Sequence, residues 1–134
     1  MLCEYAGEVI GTLLTEIRDA EYQRNGFHSV YMFETEQAVI DATFIGNLGR
    51  FINHSCDPNA ESEQIKPNSN YQVKFQLSRN LGNTQVSSIG VRLQTKRALT
   101  VGTEATQNYN MHRAPFDKKI LCFCGAECCT GFMN

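Results

Sequence analysis

Along this chain, short apolar runs alternate with polar, turn-forming stretches, and one stretch has the spacing of a helix. Residues 3–10 (CEYAGEVI) mix β-branched and aromatic side chains and read as a strand with a glycine inside it. Residues 15–24 (TEIRDAEYQR) follow the helical repeat, with Thr15 as N-cap and Asn25-Gly26 as the stop. HSVYMF (28–33) and AVIDAT (38–43) are joined by a short polar turn and predict a hairpin. YQVKFQL (71–77) alternates apolar and polar residues as a half-buried strand does, and SIGVRLQT (88–95) does so less cleanly. The polar stretches 61–70 and 78–87 read as loops, and 110–119 separates the body from the C-terminal end. There is no internal repeat or low-complexity tract. The pattern predicts a mostly β fold of small sheets and long connections with one short helix.

Composition narrows this only a little. A chain of 134 residues, 42% hydrophobic and 19% charged, has the length and apolar content of one folded domain. Twelve basic against fourteen acidic residues give a formal charge of -2. Tight nonspecific nucleic-acid binding wants a basic surface, so no direct nucleic-acid binding is expected of this segment. No apolar run approaches the ~20 residues that cross a bilayer, so no membrane partner is expected. The start, MLCEYAGEVIGTLL, lacks the basic n-region of a secretory signal. The expectation is a soluble, intracellular chain.

The six cysteines change the picture more. Cys122, Cys124, Cys128 and Cys129 fall within eight residues, a clustering that favours metal over a disulfide framework when no secretory signal is present. Cys122, Cys124 and Cys129 give a C-x-C-x4-C spacing, one ligand short of a tetrahedral zinc site. Cys128 directly precedes Cys129 and competes with it. The spacing and the Thr-Gly-Phe that follows favour Cys129, which leaves Cys128 and Cys3 as free thiols.

The most informative stretch is GNLGRFINHSCDPNA, residues 46–60. Asn, Asp, Pro and Ser favour turns, but the order of these residues resembles the RFxNHSCxPN signature of SET-domain protein lysine methyltransferases. Four more blocks match that family in order. CEYAGEVI resembles its EYxGE motif, Tyr31-Met32-Phe33 its Y-x-F strand with IDAT and Gly46-Asn47 after it, and VGTEATQNYN its GEELTxxY motif. CFCGAECCTGF (122–132) resembles the post-SET cysteine motif. Gly102-Thr103-Glu104, the NYN ending and Glu61-Ser62 look nearest to the NSD/Ash1-like branch.

The resemblance implies a SET fold, with small sheets and a knot-like C-terminal crossing over residues 1–110 and a zinc-bound post-SET segment over 111–134. It implies methyl transfer from S-adenosylmethionine to a protein lysine, a histone tail as substrate, and a nuclear, chromatin-associated setting. Free lysine has a pKa near ~10.4, so such a site must favour the neutral amine and align it in line with the S–CH3 bond. Carried over residue by residue, Tyr109 sits at the transfer centre and Tyr5 near the target lysine. Tyr31, Asn53, His54 and Phe123 contact the cofactor. Cys56 completes the Zn2+ site with Cys122, Cys124 and Cys129.

Three departures from the family pattern stand out. The chain begins at EYxGE, so the resemblance implies either a piece of a longer protein or a cofactor pocket lacking the wall that a Gly-x-Gly strand builds. Ala105 and Gln107 replace the usual leucine and aromatic of GEELTxxY, and Gln107 removes a ring face from the lysine channel. Gln94 and Thr95 stand where the family prefers a Phe-Ala pair. These changes raise the expectation of a degenerate, weakly active or inactive SET domain that binds protein partners.

Overall fold

The computed structural model describes residues 1–27, 29–65, 90–111 and 119–133. Among these residues, eight short strands and one helix follow the order β1 (Cys3–Glu4), β2 (Glu8–Ile10), α1 (Thr12–Arg24), β3 (Met32–Glu34), β4 (Val39–Asp41), β5 (Asn53–His54), β6 (Ala60–Ile65), β7 (Gly90–Thr95) and β8 (Thr106–Gln107), with a 3-10 turn at Leu48–Phe51. They form three small sheets, ordered β1-β7-β6, β2-β4-β3 and β5-β8. The fold is mostly β with one helix, as the pattern of the sequence predicts. Among the described residues no helix is long and apolar enough to cross a membrane.

The first run, read as one strand, is two strands in different sheets. β1 pairs antiparallel with β7, Cys3 opposite Leu93, whereas β2 pairs with β4, Val9 opposite Ile40. Gly7 makes the switch: a Cβ there would lie 2.7 Å from the Asp41 carbonyl oxygen and 2.8 Å from Ile40 Cγ2. The chain passes too close to β4 at that point for any side chain.

The helix starts three residues earlier than its sequence pattern predicts. Gly11 is the N-cap, and the Thr15 hydroxyl donates back to the Gly11 carbonyl oxygen at 3.3 Å instead of capping. Asn25 closes the helix and Gly26 follows at φ +76°, so the stop is where the sequence puts it. The hairpin is also where expected, with Phe33 opposite Ile40 and the Thr35 hydroxyl donating to the Ala38 carbonyl oxygen at 2.7 Å across the turn.

The stretch 61–70 is not simply a loop: Ala60–Ile65 form β6, paired antiparallel with β7 over six residue pairs. Its sequence, AESEQI, hides the strand because β6 is the outer strand among the described residues and its side chains mostly face water. Polar cross-strand pairs replace the apolar signal: Arg92 Nη1 lies 3.7 Å from Glu63 Oε2, and Gln94 donates to Glu61 at 3.2 Å. The strand expected over 71–77 lies outside the described residues, as do residues 88 and 89 of the run 88–95.

Tyr5, Ile40, Ala42, Val91 and Leu93 form the core, where the β1-β7-β6 sheet meets the β2-β4-β3 sheet. The helix is held to that core by charge as well as packing. Asp41, only 2% exposed, accepts from Tyr22 Oη at 2.7 Å and from Arg18 Nη1 at 2.9 Å, while Arg18 also reaches Glu8 at 2.7 Å. Burial pushes the Asp41 carboxyl up, but the Tyr22 hydroxyl and the Arg18 guanidinium together hold it below its ordinary value. A depressed folded-state pKa stabilises the fold above the unfolded value of ~3.9, and that contribution fades as pH falls toward the folded-state value. Asp41→Asn should therefore lose about 1.5–3 kcal/mol near neutral pH. Urea midpoints should show its deficit narrowing at about pH 3; a deficit unchanged by pH would contradict the charged role of Asp41.

Candidate metal centre and tyrosine corner

β5 and β8 pair parallel, Asn53 opposite Thr106 and His54 opposite Gln107. Two residues per strand make a short ladder, and side chains complete it. The Ser55 N–H donates to the Gln107 carbonyl oxygen at 2.9 Å. Asn59 donates through Nδ2 to the Glu104 carbonyl oxygen at 2.8 Å and accepts at Oδ1 from the Thr106 N–H at 2.9 Å. Upstream, Asn47 caps the 3-10 turn by accepting from the Gly49 N–H at 3.1 Å, and its Nδ2 donates to the Glu4 carbonyl oxygen at 2.6 Å. The GN and PN asparagines of residues 46–60 thus fasten the segment at both ends.

Tyr109 leaves β8 and folds back over β5. Its hydroxyl donates to the Ile52 carbonyl oxygen at 2.7 Å, its backbone N–H donates to His54 Nδ1 at 3.2 Å, and its ring packs edge-on to His54 at 5.3 Å. Burial, with Tyr31 and Glu104 nearby, pushes its phenol above the ordinary value, so it stays protonated at neutral pH. Burial lowers the pKa of His54, favouring the neutral ring.

Tyr5 lies deeper, in the core against Phe33 at 5.1 Å. Burial pushes its phenol up to about 12, with Tyr109 and Asp41 adding to the rise. Tyr31 is half-buried, edge-on to Phe51 at 5.6 Å and under the Arg50 guanidinium at 5.4 Å. Arg50 Nη1 donates to the Ala42 carbonyl oxygen at 2.7 Å, so it ties the Tyr31 side of the corner to the end of β4. The exposed Asn53 turns its Nδ2 to Glu104 Oε1 at 2.7 Å. Both ring nitrogens of the buried His54 face protein atoms. Phe123 stands out into solvent, 86% exposed.

The thiols converge as the sequence predicts. The Sγ atoms of Cys56, Cys122, Cys124 and Cys129 all lie within 4.8 Å of one another, with Cys56 and Cys122 3.8 Å apart. Thiolates at ~2.3 Å from a tetrahedral zinc ion are separated by about 3.8 Å, so the donor set and its spacing fit Zn2+. The Cys56 N–H donates to Cys124 Sγ at 3.4 Å and, with the Ala126 backbone, brings that thiol down to about 6, toward the thiolate a metal requires. Cys128 is exposed and outside the group, while Cys3 lies against the Gly49 turn. The C-terminal segment wraps the cluster: Cys122 N–H donates to Gly131 O at 2.8 Å and Met133 N–H to Ile120 O at 2.9 Å.

A family model described as SET domain matches residues 1–110. The chain belongs to the SET domain family. A Saccharomyces cerevisiae histone-lysine N-methyltransferase, H3 lysine-4 specific, is 35% identical over 136 residues, and human histone-lysine N-methyltransferase SETD1B is 33% identical over 135. Each alignment takes in the whole of this chain but only 11% and 6% of those relatives. A crystal structure of KRYPTONITE in complex with mCHG DNA and SAH superposes at a TM-score of 0.66 with 26% identity, over 98% of this chain and 23% of that one. Arabidopsis thaliana SUVH6 in complex with SAM superposes at 0.63 with 25% identity, over 98% of this chain and 27% of its own. These relatives of the SET domain include the H3 lysine-4 and SETD1 types, and none of them speaks for the NSD/Ash1-like branch.

The motifs in the sequence singled out the reactive groups but gave no role to Asn47, Asn59, Arg50 and Glu104, whose side chains or backbone fasten the corner. Three of them stood in the quoted signature, and their signal was that an amide or guanidinium near a buried turn must have partners. The thiol geometry predicts one tightly held zinc ion per chain. Cys129→Ser should lose it and Cys128→Ser should keep it, as read by cobalt(II)-thiolate absorption. Equal loss in both variants would contradict the ligand set.

Proposed function

We propose that this SET domain transfers a methyl group from S-adenosylmethionine to a lysine of a histone tail, in a nuclear, chromatin-associated setting. The observation that carries this is the β5-β8 pairing, which brings Asn53-His54 against Tyr109 and pins the tyrosine hydroxyl on the Ile52 carbonyl oxygen. The names of relatives as histone-lysine methyltransferases, and neighbours solved with SAH and SAM, support the same reading. Since the relatives described are of the H3 lysine-4 and SETD1 types, lysine 4 of histone H3 is the substrate to try first.

The cofactor supplies a methyl group on a sulfonium, and the protein supplies alignment. The Tyr109 hydroxyl uses its proton on Ile52 O, so its oxygen lone pairs face the reaction as a fixed acceptor for the amine N–H. Because burial keeps this phenol protonated, it offers that acceptor without adding a negative charge that would favour the ammonium form. Tyr5, behind it, sets the floor of the lysine site. Tyr31, the backbone of Asn53 and His54, and the exposed ring of Phe123 hold the cofactor. The domain proper runs to residue 110, and 111–134 is a post-SET segment whose zinc site, through Cys56, closes over the corner.

Gln107 favours a second reading. It is 4% exposed and its Oε1 has no hydrogen-bond partner among the described residues. An orphaned acceptor where the family carries an aromatic fits a degenerate SET domain that serves as an interaction module. Calorimetric titration with S-adenosylmethionine separates the two, because the module predicts no binding. On histone H3, Tyr109→Phe should cost about 100-fold in methyl transfer while leaving cofactor affinity within about threefold. Unchanged turnover would remove Tyr109 from the mechanism.

A further inference from the structure

His54 stands between the thiol cluster and the tyrosine corner. Its Nδ1 lies 3.2 Å from the backbone nitrogen of Tyr109, and its Nε2 lies 3.5 Å from Cys56 Sγ. A backbone N–H can only donate, so Nδ1 must accept and carries no proton. In the neutral ring Nε2 then carries the proton, and the atom facing it is the sulfur of a metal ligand. The hydrogen bond therefore runs from Nε2–H to Cys56 Sγ. A thiolate held by a metal is a stronger and better-placed acceptor than a rotating thiol. The ring is buried and packed edge-on to Tyr109, which holds it in place between the two bonds.

We propose that His54 is a positioning residue that couples metal occupancy at Cys56 to the placement of Tyr109. A bound metal fixes the Cys56 sulfur, the sulfur fixes the ring plane through the Nε2–H bond, and Nδ1 then holds the Tyr109 backbone. The next link is already in place, since the Tyr109 hydroxyl is anchored on Ile52, two residues before His54. The metal thus acts on the tyrosine through one imidazole, in addition to tying down the C-terminal segment. The catalytic meaning of this rests on Tyr109 as the methyl-transfer tyrosine. The readouts that follow need no turnover, so they fail or succeed apart from that reading.

Asparagine reproduces the Nδ1 end of histidine and glutamine the Nε2 end, which separates the two bonds. In the zinc-loaded chain, His54→Asn should weaken zinc by about 10- to 100-fold in chelator competition, and His54→Gln should stay within about threefold of wild type. Zinc removal should shift the Tyr109 amide resonance of wild type and shift it much less in both variants. Zinc affinities within threefold in all three proteins, or the same Tyr109 shift in all three, would overturn the proposal. Should neither variant fold, the ring nitrogens of the zinc-loaded wild type decide alone. Nitrogen-15 spectra should show Nδ1 bare and Nε2 protonated at neutral pH, and a protonated Nδ1 would overturn it.

Discussion

Everything at the tyrosine corner depends on a parallel ladder only two residues long, β5 on β8, joining segments more than fifty positions apart. Closing a loop of that length costs on the order of 3–4 kcal/mol, and a two-residue ladder returns roughly ~1 kcal/mol per hydrogen bond. The ladder by itself is therefore marginal. What holds it is the set of side chains at its ends: the Asn59 amide clasping Glu104 and Thr106, the Tyr109 hydroxyl on Ile52, and the thiol cluster just beyond Cys56. A bound zinc ion is worth far more than any of these hydrogen bonds, which gives the metal site the deciding share in keeping β5 in register.

The molecule keeps its two polar networks apart. One is structural: Asp41, Tyr22, Arg18 and Glu8 hold α1 on the β2-β4-β3 sheet through a chain of charged and hydroxyl hydrogen bonds. The other, around His54 and Tyr109, is open at its outer edge, where Asn53 and part of the Tyr109 ring are exposed. A closed network confers stability, whereas an open one leaves acceptors for a ligand. Tyr5 sits between the two, packed in the core yet electrostatically within reach of both Asp41 and Tyr109.

How far this could be read from residues alone follows from the physics of each element. The cysteine set was legible because thiol clustering has few explanations in a chain without a secretory signal, although Cys56 needed the family pattern to join it. The hairpin and the helix stop were legible because Asn25-Gly26 and the polar turn after Phe33 act locally. β6 was not, since an outer strand of the described sheet made of Glu, Ser and Gln is held by its six-pair ladder with β7 rather than marked by its own periodicity. The split of β1 from β2 escaped for a related reason: what forbids a side chain at Gly7 is β4, thirty residues away. Local pattern sees turns and caps, and tertiary approach stays hidden from it.

The same distinction bears on Gln107. From sequence it is a missing aromatic, a loss of ring surface in the lysine channel. In the fold it is a buried acceptor whose backbone carbonyl takes the Ser55 N–H, while its Oε1 has no partner among the described residues. Such a group costs about 1–3 kcal/mol when left alone, and a neutral core residue of similar size would avoid that cost. A chain that only needed to fold would gain by replacing it. It sits on β8, two residues from Tyr109 and opposite His54, so the departure from the family pattern and the unsatisfied acceptor fall at the same point of the corner.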